Sequence, residues 1–95
     1  MPNYELVYIV NPGINEEILP ETINKVNDVV KKAGGTVLEV TQWGRKKLAY
    51  PVKKHTEGSY ILSRVQTDPA ALKKIDATLK MDDDILRHLI INIGN

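Results

Sequence analysis

Gly34-Gly35-Thr36-Val37-Leu38-Glu39-Val40-Thr41-Gln42-Trp43-Gly44-Arg45-Lys46-Lys47-Leu48-Ala49-Tyr50-Pro51-Val52 is the stretch on which the fold turns. Before it, apolar residues recur at Leu19, Ile23, Val26, Val30 and Ala33, in steps of four, three, four and three. That is one stripe of a helix. The paired glycines end the stripe, the usual exit from a helix C-terminus. From Thr36 to about Trp43 the chain reads as a strand. Gly44 interrupts it at a bulge that redirects the basic segment, and Lys46 to Val52 is extended again. Pro51 has no N–H to give a ladder, so this strand belongs at a sheet edge.

On the N-terminal side, Tyr4, Leu6, Tyr8 and Val10 alternate with Glu5, Val7 and Ile9. Both sets are largely apolar, as in a central strand. Asn11-Pro12-Gly13 is a turn by residue type. The helical pattern spans Glu16 to Ala33; Asn15 is a candidate cap, but Pro20 suits a first turn and moves the regular helix towards Leu19. On the C-terminal side, His55-Thr56-Glu57-Gly58 reads as a turn and Ser59 to Thr67 as a strand. There Tyr60, Leu62 and Arg64 share one face, and Ile61, Ser63 and Val65 the other. Asp68-Pro69 starts a second helix with the stripe Leu72, Ile75, Leu79. Asp82-Asp83-Asp84 is a polar turn, and Ile85 to Ile93 is the last strand.

Two strand–helix–strand halves of this kind predict an α+β fold, the ferredoxin-like sandwich, with element order βαββαβ. Its four-stranded antiparallel sheet has the order 4-1-3-2 and carries both helices on one face. Residues 1–95 read as one domain. Tyr4 and Tyr8 belong to the helix-packed core. Val7, Ile9, Tyr60 and Leu62 fall on the uncovered face, and an apolar patch there calls for a partner.

Composition narrows the chemistry. The chain has 95 residues, 42% hydrophobic and 26% charged, which is close to the globular average. It has no cysteine, which removes disulfides, iron–sulfur clusters and thiolate zinc sites. No apolar run approaches a membrane span and the start does not read as a signal peptide, so the expectation is a small soluble intracellular protein. Catalysis finds little support. His55 and His88 are far apart in the topology, and the hydroxyls have no candidate pairing for a serine triad. Three consecutive aspartates at 82–84 point in different directions and lack the spaced ligands of a calcium loop. Acylphosphatases use such a fold, but they need an arginine and an anion-cradling loop after the first strand. Here Asn11-Pro12-Gly13-Ile14-Asn15 lacks an N–H at Pro12 and contains no arginine. The expectation is a protein that is not an enzyme and uses no metal or cofactor.

Charge is the informative quantity. Net charge is +1, yet between Val40 and Thr56 stand Arg45, Lys46, Lys47, Lys53 and Lys54 with no acid. Clustered like charge repels itself unless it is well solvated or meets an anion. Cations on an extended hairpin can follow a phosphate backbone, with Trp43 or Tyr50 stacking on a base or ribose. The alternative is a lysine-protected sheet edge in which Trp43 and Tyr50 close the core; for Trp43 burial is the favoured reading. On the residues alone, two functions stay open: an RNA-binding assembly protein, or a homo-oligomeric module that senses a small molecule across paired open faces.

Taken together, Tyr4-Glu5, the run from Trp43 to Val52, Gly58 with Tyr60, and Asp84-Ile85-Leu86-Arg87 resemble the bacterial small-subunit ribosomal protein S six family. The resemblance covers essentially the whole chain. It implies a non-enzymatic constituent of the small ribosomal subunit, in the cytoplasm. Such a protein binds the central domain of small-subunit rRNA as a heterodimer with ribosomal protein S eighteen. The RNA-binding residues it implies are Arg45, Lys46, Lys47, Lys53, Lys54 and Arg87, with Tyr50 supporting the hairpin. Val7, Ile9, Tyr60, Leu62 and Arg64 would meet the protein partner. Pro2, Asn3 and Asn92 stand where family members often carry cations.

Overall fold

A computed structural model describes residues 2–15, 17–52 and 54–94. Its elements are β1 (Asn3–Val10), α1 (Leu19–Lys32), β2 (Thr36–Val52), β3 (His55–Gln66), α2 (Pro69–Lys80) and β4 (Ile85–Gly94). The sheet order is β2-β3-β1-β4 and every pairing is antiparallel. This is the expected ferredoxin-like arrangement.

Alternation along β1 decides what the helices cover. Tyr4, Leu6, Tyr8 and Val10 are buried beneath them, together with Ile61 and Val65 of β3. From α1 come Leu19, Ile23, Val26 and Val30, and from α2 Ile75 and Leu79. Each buried aliphatic side chain contributes about 1.5–3 kcal/mol of transfer free energy. The Tyr8 hydroxyl, Ser63 Oγ and Thr67 Oγ1 are buried there without a hydrogen-bond partner among the described residues. Burial pushes the Tyr8 phenol well above its usual pKa, because its anion has no water to solvate it.

Helix boundaries follow local chemistry. α1 starts at Leu19 with Pro20 in its first turn, as expected, although Asn15 does not cap it. The Asn15 side chain instead accepts the Glu17 N–H at 3.1 Å, in the turn before the helix. At the other end the Gly35 N–H reaches the Val30 carbonyl at 2.9 Å and the Gly34 N–H that of Lys31 at 3.0 Å. These two bonds form a Schellman motif, which satisfies carbonyls the helix would leave open. α2 has Asp68 at its cap and Pro69 in its first turn, but the aspartate side chain makes no capping bond.

The aspartate turn has a structural use. Lys25 of α1 donates to Asp82 and Asp84 at 2.8 Å each, tying the helix to the entry of β4. These bonds raise the Lys25 pKa above the ordinary lysine value. Nearby, His88 and Lys80 flank Asp76 at 2.6 and 3.1 Å. Hydrogen bonding from His88, then from Lys80, lowers the Asp76 pKa below the usual carboxylate value.

One boundary differs from the sequence reading. β3 begins at His55, so residues 55–58 are strand and the chain reverses immediately before them, where Val52 faces His55. Lys54 takes the reversal with φ of 71°, in the left-handed region. Gly58 therefore serves contact, not turning. A Cβ there would lie 2.4 Å from Ile9 Cγ2 and 3.1 Å from the Val10 carbonyl oxygen. Its absence lets the hairpin lie directly on the end of β1.

Candidate nucleic-acid interface

Strands β2 and β3 carry the basic segment out beyond the end of β1 as a two-stranded arm. Its register slips between Gln42 and Gly44, where Gly44 has φ of +85°. This is the bulge expected at that glycine; a side chain would strain its backbone. β2 is an edge strand, as Pro51 required. Past the bulge Arg45 faces Ser59, Lys46 faces Gly58 and Lys47 faces Glu57.

The cations of the arm fall into two groups. Lys46, Lys47 and Lys54 are exposed and form no salt bridge among the described residues. The Lys46 ammonium lies 5.3 Å from the centre of the Trp43 ring, within cation–π range. Arg45 is engaged. Its guanidinium donates to the Pro12 carbonyl at 3.0 Å and to the Glu57 carboxylate at 3.3 Å. Arg87, on β4, donates to the Tyr50 hydroxyl, and its guanidinium carbon lies 5.6 Å from the Tyr50 ring centre. Lys53 lies outside the described residues.

Trp43 corrects the expectation of burial: it is 46% exposed, and Tyr50 is 56% exposed. Neither closes the core, because both sit on the exposed stretch of the edge strand β2. The loop after β1 is no anion cradle. The Gly13 and Ile14 N–H groups are spent on Asn11, at 2.8 Å to its side chain and 3.0 Å to its carbonyl. The arginine beside that loop comes from β2 and grips a carbonyl.

The sheet face away from the helices holds the other candidates. Val7 pairs with Leu62, Ile9 with Tyr60 and Glu5 with Arg64, one row per pair. Val7, Leu62 and Tyr60 are half-buried, and Arg64 is exposed and 3.7 Å from Glu39. Ile9 corrects its assignment to an open surface: it is 7% exposed, packed against the Gly58 backbone of the arm. The sequence reading missed the larger apolar contribution of β4. Leu89 and Ile91, opposite Val7 and Glu5, are 55% and 41% exposed. Their alternation with Ile90 was the available signal.

Among the described residues no group of three or more metal-ligating side chains comes together, and no helix is long and apolar enough to cross a membrane. A cavity of about 440 Å³ lies between Gly34 and the first turns of α2, and no residue of the arm lines it.

The family model described as ribosomal protein S6 matches residues 3–92. Small ribosomal subunit protein bS6 of Clostridioides difficile is 44% identical over 91 residues, covering 96% of this chain and 98% of that one. The bS6 protein of Desulforamulus reducens is 39% identical over 94 residues, covering 99% of each chain. Among solved structures, the 30S ribosomal protein S6 of Thermotoga maritima superposes with a TM-score of 0.89 over 96% of this chain and 86% of that one. At 24% identity this last match speaks for the fold. With sequence similarity running nearly end to end, the chain belongs to the ribosomal protein S6 family, whose members are structural ribosomal proteins and not enzymes.

Proposed function

We infer that this protein is a structural constituent of the small ribosomal subunit in the bacterial cytoplasm. It binds the central domain of small-subunit rRNA through its arm, with ribosomal protein S eighteen as protein partner. One observation carries the RNA contact: Lys46, Lys47 and Lys54 are exposed on the arm and, among the described residues, no carboxylate is paired to any of them. Such a concentration of charge is relieved by a polyanion, and phosphate neutralisation with counterion release supplies the affinity. Lys53 adds to it by its place in the sequence, and Arg45, Tyr50 and Arg87 border the same surface. Trp43, half out in solvent beside Lys46, offers a ring for stacking.

The partner surface is the uncovered sheet face, where Val7, Leu62, Tyr60 and Arg64 meet the more exposed Leu89 and Ile91 of β4. Residues 1–95 act as one unit in this reading.

Co-sedimentation tests it. The protein is expected to stay with small ribosomal subunits through a high-salt wash, and to be a monomer when alone. Mass that rises with concentration, together with indifference to RNA, would instead favour a self-associating module.

A further inference from the structure

The arm extends past the end of β1 and is largely exposed, yet among the described residues it is fastened to the rest of the molecule at three places. Gly58 lets its backbone rest on Ile9 and Val10. Arg45, near the start of the arm, holds the Pro12 carbonyl of the loop after β1 at 3.0 Å. Tyr50, far along the arm in sequence, receives a hydrogen bond from Arg87 of β4, at the opposite edge of the sheet. Two of these ties use arginines that the sequence reading assigned to RNA.

We propose that Arg87 and Tyr50 form a positioning clasp. Arg87 acts on RNA binding through the arm and not as a phosphate contact, with the Arg45–Pro12 tie as its counterpart on the other side. This rests on the arm being the RNA-binding element. A two-stranded ribbon in water is only marginally stable. Held against the sheet, it loses less conformational freedom when the ligand arrives, which raises affinity without adding a contact. The division of labour follows from the geometry: a guanidinium engaged with the phenol oxygen and ring of Tyr50 is the tie, and the lysines without an ion-pair partner among the described residues are the anion ligands.

Three measurements on the full chain decide it. Tyr50→Phe deletes only the hydroxyl and changes no charge, while Arg87→Met deletes the guanidinium and keeps the chain length. In the free protein, backbone amide exchange of the arm is expected to quicken about fivefold in both variants, with core amides unchanged. In complexes with small-subunit RNA and partner, both variants are expected to bind about fivefold more weakly, with the wild-type dependence on salt. The double variant is expected to be no weaker than either single one.

A phosphate contact gives the opposite pattern: Arg87→Met weakens binding and flattens the salt dependence, whereas Tyr50→Phe does neither. That result, or unchanged arm exchange in both variants, overturns the clasp. Lys46→Ala/Lys47→Ala keeps the two readings separate. If it leaves RNA affinity unchanged, the interface is misplaced, while the exchange measurement on free protein still decides the clasp.

Discussion

The body of the sheet and the arm beyond it are built from the same two strands, β2 and β3, in one antiparallel pairing interrupted by register shifts. Over the body, Ile61, Ser63 and Val65 of β3 are buried under the helices. Over the arm, β2 is exposed at nearly every residue from Gly44 to Pro51. Backbone hydrogen bonding is common to both regions, so it does not distinguish them. What differs is the material beneath the strands: apolar helix in one case, and in the other a few polar ties and a glycine contact. Stability should therefore reside in the body and recognition in the arm.

The largest break in that comparison is expected from Leu6→Ala. Leu6 is 1% exposed, and the cavity left behind should cost about 2–5 kcal/mol in chemical denaturation. RNA affinity of the folded fraction should be unchanged. Arg45→Ala/Lys46→Ala/Lys47→Ala is the converse: a near wild-type melting curve, with RNA affinity reduced and the slope of log affinity against log salt flattened by about two. Slope loss should come mainly from the two lysines, because the Arg45 guanidinium is already paired with the Glu57 carboxylate. Equal melting and an unchanged slope would contradict the division.

Leu62→Asp sharpens the picture for the uncovered face. Leu62 is only half-buried, so the substitution should impair heterodimer formation more than it destabilises the monomer; a monomer that simply unfolds would place Leu62 in the core. Asp76→Asn tests the body through pH. The native bonds lower the pKa of Asp76, so its carboxylate stabilises the fold above the unfolded-state pKa near 4. That contribution disappears as pH falls through the lower native value. The variant should thus be less stable than wild type at neutral pH, with the gap closing in acid. Smallest of all should be Tyr8→Phe, within about 1 kcal/mol of wild type and of either sign, because the buried hydroxyl it removes has no partner to lose.

Most of the fold was legible because periodicity is a local property that burial imposes on every element. The Leu19–Val30 stripe, the Gly34-Gly35 exit and the Pro69 start each reported their element without reference to the rest. The bulge at Gly44 and the edge position of β2 could be read for the same reason, since glycine and proline constrain the backbone where they stand. The reversal before His55 was misplaced because Gly58 looked like a turn residue. Its purpose is a close approach to Ile9, which lies 49 positions earlier in the chain.

The sequence by itself determined that five cations would be concentrated between Val40 and Thr56, on an extended segment at a sheet edge. Only the tertiary structure decided which of them are committed, because commitment depends on groups remote in sequence. Arg45 among them is held by the Pro12 carbonyl 33 positions earlier, and outside that segment Arg87 meets Tyr50 across 37 positions. It likewise left Trp43 in solvent, since an indole is buried only where other elements close over it, and over the arm none does.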